Sequence, residues 1–120
     1  MDNCIFCKII KGDIPSYTIY EDEIVKVFLD INPINVGHTL IIPKTHYKDL
    51  DDIDLNTLNH IMEVSKKIKF RIEEKLNPDG IRLVQNNGIL QEVKHYHLHL
   101  IPSYKENKNL SVEEVFDLLK

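Results

Sequence analysis

The chain has 120 residues, 42% of them hydrophobic and 28% charged, with a formal net charge of −4. That length suits one domain with one core over residues 1–120, and the balance is that of a soluble globular chain rather than a disordered one. No apolar run is long enough to cross a membrane and no basic run is long enough to follow a nucleic acid, so neither is an expected partner. Met1-Asp2-Asn3-Cys4 lacks the basic start and apolar segment of a secretory leader, which makes the cytoplasm the expected compartment.

Residues 4–12, Cys-Ile-Phe-Cys-Lys-Ile-Ile-Lys-Gly, read as a short helical turn closed by Gly12, with Ile5, Phe6, Ile9 and Ile10 as its apolar face. The pair Cys4 and Cys7 is not expected to form a structural disulfide in a reducing compartment. No strand precedes it, as a thioredoxin-like redox motif would require. Zinc remains, and needs two further ligands from elsewhere in the chain.

Pro15-Ser16 turns the chain, and Tyr17–Glu21 and Ile24–Leu29 read as a hairpin around Asp22-Glu23. Asp30–Gly37 is a loop broken by Pro33 and Gly37. His38–Pro43 is nearly all apolar and is expected at the centre of a sheet. Asp49, Asp51, Asp52 and Asp54 lead into a helix, where carboxylates complement the helix dipole rather than collect a cation. Leu55–Leu76 is the long helix, with Leu55, Leu58, Ile61, Met62, Ile68, Ile72 and Leu76 at three- and four-residue steps. Its Lys66–Arg71 cluster reads as a solvated face and His60 as a surface or packing residue. Asn77-Pro78-Asp79-Gly80 ends the helix. Ile81–Gln85 is a fourth strand, Asn86-Asn87-Gly88 a turn, and Val93–Ile101 a fifth strand. Ser111–Leu119 is a short helix with Ser111 at its N-cap. The fold class is therefore α+β: a largely antiparallel sheet of about five strands, one long helix on one face, and short helices near both ends.

The fifth strand carries the chemistry. In His95-Tyr96-His97-Leu98-His99-Leu100, strand alternation puts three histidines on one face and Tyr96, Leu98 and Leu100 on the other. Successive members of such a row lie about 6.5–7 Å apart along the strand, too far to bond one another but able to grip a phosphate-sized group or serve two adjacent sites. Two chemistries compete for them. A zinc ion could take imidazoles together with Cys4 and Cys7, in a site assembled by tertiary structure. Alternatively, neutral imidazole could attack phosphorus directly, with neighbouring polar groups stabilising the charge that develops. The row has three members, so the two need not exclude each other. The chain has no phosphate-binding glycine loop, no G-x-S-x-G and no H-E-x-x-H.

Residues 95–101 match the pattern His-φ-His-φ-His-φ-φ, with φ apolar, and so resemble the histidine triad (HIT) proteins. The N-terminal Cys-Ile-Phe-Cys-Lys-Ile-Ile-Lys-Gly-Asp-Ile-Pro-Ser, then Phe28–Pro33, Gly37–His46, Asn86–Gly88 and Gln91–Val93 resemble the Hint branch, so the likeness spans about residues 3–102. It implies a HIT-like fold and a purine nucleotide-binding hydrolase or transferase working at the α-phosphate through a nucleotidyl-histidine intermediate. It implies His97 as nucleophile, with His99 and His38 contacting phosphate or orienting it. Asp30 would bind the ribose hydroxyls, which a carboxylate can accept in pairs. Ile5, Phe6, Ile9, Phe28, Ile31 and Leu40 would line the purine pocket, with Asn86 and Gln91 near phosphate. The resemblance further implies a structural zinc on Cys4, Cys7, His46 and His95, AMP, GMP or a derivative as partner, and a homodimer.

Two positions depart from the pattern. Leu90 stands where relatives carry Gly, in a Gly88–Gln91 loop that looks about two residues short. Glu92 stands where some relatives carry Ser. The final helix does not match the Hint tail. A nucleoside phosphoramidase is the leading expectation. A dinucleoside polyphosphate hydrolase, a nucleotide-binding scaffold with incidental activity, and a purely structural zinc module are the alternatives.

Overall fold

The structure is a computed structural model that describes residues 3–120; Met1 and Asp2, half of the stretch in which a leader was sought, lie outside the described residues. The elements run α1 (Ile5–Lys11), β1 (Thr18–Glu21), β2 (Val25–Leu29), β3 (Thr39–Pro43), α2 (Leu55–Leu76), β4 (Gly80–Val84), β5 (Leu98–Ser103) and α3 (Val112–Leu119), with a 3-10 turn at Gly88–Leu90. The five strands form one sheet in the order β1-β2-β3-β5-β4, every neighbouring pair antiparallel. The apolar third strand is its centre, as its composition requires.

Local chemistry fixes the boundaries. Asp22 Oδ1 accepts from the Ile24 and Val25 amides, 2.8 Å each, closing the β1–β2 hairpin. Asp54 caps α2 by accepting from the Thr57 amide at 3.0 Å, and Asn77 ends it in the left-handed region at φ 51°. Ser111 and Glu114 exchange side-chain and backbone bonds in a capping box at α3. Asp49 and Asp52 accept backbone amides of their own loop, so the acidic approach to α2 is turn and cap chemistry.

The two sheet faces are covered unequally. On one, Val25, Val27, Leu29, Ile41, Leu98 and Leu100 pack against Ile61, Val64, Ile68, Ile72 and Leu76 of α2 and Val115 and Leu119 of α3. Burying each Ile or Leu there contributes about 1.5–3 kcal/mol. On the other face, Phe28, Leu40 and Ile42 lie under Phe6 and Ile9 of α1. α1 is only seven residues long and covers the β2–β3 half. The same face of β5 and β4 is left open as the floor of a cleft.

Three expectations are corrected. The fifth strand starts at Leu98, not Val93. The Tyr96 amide donates to the Tyr47 carbonyl at 2.7 Å, so that backbone is tied to the segment after β3 rather than to a ladder. β4 begins at Gly80, which belongs to the strand and not to the helix stop. Within the basic cluster, Lys66 and Lys67 are solvated, but Arg71 donates to the carbonyls of Ile19 and Leu119, at 3.1 and 3.2 Å, and ties β1 to the end of α3. No helix among the described residues is long and apolar enough to cross a membrane.

Candidate functional site

The open half of the sheet floors a cleft of about 340 Å³ whose walls include Asp30, His38, His97, His99, Arg82, Asn86 and Glu92. Ring protonation in it follows from groups that can only donate or only accept. The Ile34 amide donates to His38 Nδ1 at 3.1 Å, so that nitrogen carries the lone pair and the proton of neutral His38 sits on Nε2. His38 Nε2 lies 2.9 Å from His99 Nδ1 and donates to it, which places the His99 proton on Nε2. His97 Nδ1 lies 2.7 Å from the His95 carbonyl oxygen, an acceptor only; Nδ1 therefore holds the proton and Nε2 keeps its lone pair. One ring thus presents an unprotonated nitrogen and its neighbour an N–H. Their centroids are 4.8 Å apart, in edge contact.

Burial holds His38 and His97 below the ordinary imidazole range and pushes His99 down to about 4, so all three are neutral near pH 7. Asp30 opposes this shift: its Oδ2 lies 3.8 Å from His38 Nε2, and its Oδ1 accepts the Asn32 amide at 2.9 Å. Asp30, His38 and His99 also gather their ligand atoms within 4.8 Å. Both lone pairs on the two imidazoles are already accepting N–H bonds, so this trio is not a free donor set for a cation.

A second cluster lies at the other end of the histidine run. Cys4, Cys7, His46 and His95 bring one donor atom each within 4.8 Å of one another. His95 Nε2 donates to the Pro43 carbonyl at 2.8 Å, which turns its Nδ1 lone pair onto Cys4 Sγ at 3.3 Å and Cys7 Sγ at 3.6 Å. His46 Nδ1 is 3.1 Å from His95 Nδ1 and 3.3 Å from Cys7 Sγ. The Cys7 amide donates to Cys4 Sγ at 3.3 Å. Burial, reinforced by the neighbouring Cys4, pushes the Cys7 thiol up to about 11. Two soft sulfurs and two converging imidazole nitrogens suit a tetrahedral cation that favours the thiolates.

The structure brings together most of the residues named from the sequence, in the cleft or against it. Phe6, Ile9, Phe28 and Leu40 do not line the cleft; they form a buried cluster with Ile42. From there the Phe6 ring packs edge-on against His97, 5.0 Å between centroids, and supports it. Ile5 lines an adjoining cavity, and Ile31 is 68% exposed. Asn86 reaches the cleft; Gln91 is buried, bonded to the Gly88 amide and to the Lys48 and Val93 carbonyls, and braces the loop. His60 bonds Asp22 Oδ2 at 2.7 Å, far from the cleft in its contacts, as a packing residue should. Sequence reasoning missed Arg82. The signal was the β4–β5 register: Arg82 pairs with Ile101 and Val84 with His99, so both share the histidine face.

A family model described as "HIT domain" matches residues 11–106. The chain is 46% identical to an uncharacterized HIT-like protein of Methanocaldococcus jannaschii over 98% of each chain. It is 44% identical to an adenosine 5'-monophosphoramidase of Candida albicans, over 92% of this chain and 76% of that one. The crystal structure of a zinc-bound histidine triad family protein from Mycobacterium smegmatis superimposes with a TM-score of 0.91 at 39% identity, covering 98% of this chain and 91% of the other.

Proposed function

The chain belongs to the HIT family, and from that premise we propose that it is a nucleoside phosphoramidase-type hydrolase acting at the α-phosphate of a purine nucleotide. The observation that carries this is the His97 ring, whose Nδ1–H is spent on the His95 carbonyl so that Nε2 offers an unprotonated lone pair beside the cleft. Nε2 attacks phosphorus. The P–N bond to the leaving amine breaks, its electron pair goes to nitrogen, and that nitrogen takes a proton from solvent in the open cleft. Water then attacks phosphorus, the bond to Nε2 breaks, and the proton of the water passes to solvent. The His99 Nε2–H supplies a hydrogen bond to a phosphoryl oxygen, and His38 holds His99 in the tautomer that can do so. Asp30 has an oxygen left for a ribose hydroxyl. The 44% identity to an adenosine 5'-monophosphoramidase supports AMP-type substrates.

Zinc on Cys4, Cys7, His46 and His95 would act as a structural clamp, joining α1 and the segment after β3 to the histidine run. A homodimer belongs to the same proposal: β4 is an edge strand and Leu83 on it is 39% exposed.

The test is release of AMP or GMP from the corresponding phosphoramidates. His97→Ala should abolish release while binding of the nucleotide stays measurable by calorimetry. Full activity in that variant would refute the mechanism. Faster cleavage of diadenosine polyphosphates than of AMP-amines would move the substrate class, and tight binding without turnover of either would make the chain a nucleotide-binding scaffold.

A further inference from the structure

The cleft is charged in an unusual way for a phosphate site. Its walls carry two carboxylates, Asp30 and Glu92, against one guanidinium, Arg82. The charges are also separated along the histidine run. Arg82 pairs with Ile101, beyond His99, at the same end as Asp30 and His38. Glu92 precedes His95 and faces the cleft from the opposite end, beside His97. It is exposed, and makes no hydrogen bond or ion pair among the described residues. Asp30 accepts an amide and lies 3.8 Å from the His38 imidazole, whereas Glu92 faces His97 without a bonded partner among the described residues.

Glu92 also lines an adjoining cavity of about 650 Å³ with Cys4, Ile5, His46, Val93 and Lys94. Lys94 is the cation nearest in sequence, but its ammonium donates to the Gly88 carbonyl. A group departing from a phosphorus atom at His97 therefore has two ways to lie. Toward Arg82 it meets the Asp30 end, which the nucleoside occupies. Toward Glu92 it meets a carboxylate that forms no ion pair among the described residues, open space, and the Lys94 ammonium anchored at the Gly88 carbonyl.

We propose that Glu92 is a specificity-determining residue that receives the leaving group and selects amines bearing a further positive charge over neutral and anionic ones. This rests on the phosphoramidase activity proposed above and deepens it. Diamines and basic amino acids linked through one nitrogen to the nucleotide are the class favoured. A polyphosphate or an amino acid carboxylate at this point is opposed by like charge. A unit charge within several ångströms of a surface carboxylate changes affinity by roughly tenfold at low salt, and less as salt rises.

The experiment uses three adenosine phosphoramidates of similar length, with 1,3-diaminopropane, propylamine or β-alanine as the leaving amine. kcat/KM is measured for the full chain and for Glu92→Gln at low and high salt, with zinc content matched. The expected order is diaminopropane, propylamine, β-alanine, spanning roughly tenfold or more at low salt. Glu92→Gln should compress the series, bringing the diaminopropane to β-alanine ratio toward one. A flat series in the unaltered protein, or a series that Glu92→Gln leaves intact, overturns the proposal. If none of the three is cleaved, the phosphoramidase activity itself fails. The same ligands titrated by calorimetry then decide: a charge ranking that Glu92→Gln removes upholds the role of Glu92 in binding, and no ranking or no affinity rejects it.

Discussion

The buried imidazoles make acid the most informative perturbation. Burial lowers His99 from an ordinary 6.5 to about 4 in the folded chain. The unfolded chain therefore takes up the proton first as pH falls. The contribution to stability is complete above about pH 6.5 and is lost progressively as pH drops toward about 4. Between about pH 7.5 and 5.5, a group with those two values costs the folded state about 1.3 kcal/mol. His38 and His97 are shifted the same way by the same cause and add to the loss. The comparison is with His99→Gln, which removes the titration but leaves a side-chain oxygen to accept the His38 Nε2–H. Urea unfolding of both proteins at the two pH values isolates the slope from the difference in absolute stability. Both keep Cys4, Cys7, His46 and His95, so any acid loss of metal cancels. The unaltered chain should lose about 1.3 kcal/mol more than His99→Gln over this interval. Equal slopes would mean that His99 titrates alike in the two states, and would remove the basis for a neutral imidazole network in the cleft.

The four-residue sulfur and imidazole cluster predicts about one zinc per chain by elemental analysis, lost in Cys4→Ser together with a clear drop in Tm, since a metal held there would join α1 to the rest of the sheet. A metal-free protein of undiminished Tm would contradict it. Gly37→Ala should destabilise by about 1–3 kcal/mol and weaken substrate binding, measured by urea unfolding and KM. Gly37 has φ +88°, and a Cβ there would meet Leu76 Cδ1 at 2.7 Å and Pro102 Cγ at 3.2 Å, pushing on the loop that aims His38. Unchanged stability would show that the loop yields freely.

Much of this was written in local pattern. The ends of α2 follow from its apolar spacing, from Asp54, and from Asn77 before Pro78, all within reach of one another in sequence. The central place of β3 follows from its unbroken apolar run. The common face of His95, His97 and His99 follows from alternation. Alternation survived although His95 and His97 precede the hydrogen-bonded strand, because Tyr96 and Leu98 are pulled into the α2-side core. What could not be read was where polar groups find partners across 40 or more residues. Gln91 is a polar residue beside a phosphate-binding pattern, yet the Lys48 carbonyl, 43 residues away, claims its amide. Arg71 belongs to a basic cluster, yet two distant carbonyls claim its guanidinium.

The division of labour among the histidines has the same origin. Spacing makes the three alike; two carbonyl oxygens make them different. The Pro43 carbonyl takes the proton side of His95 and so turns its lone pair toward sulfur. The His95 carbonyl takes the proton side of His97 and so turns its lone pair toward the cleft. The backbone of His95, the proposed clamp residue, thus sets the tautomer of His97, the proposed nucleophile. A change that shifts residue 95 should therefore reach the reaction through ring orientation as well as through the metal. His95→Cys preserves a soft ligand but loses the Pro43 bond. Expected are retained zinc with kcat lowered at least about tenfold and nucleotide affinity within a few-fold, read by elemental analysis, steady-state kinetics and calorimetry. Unchanged kcat with zinc retained would show that the ring of His97 is held by its edge contacts with Phe6 and His99.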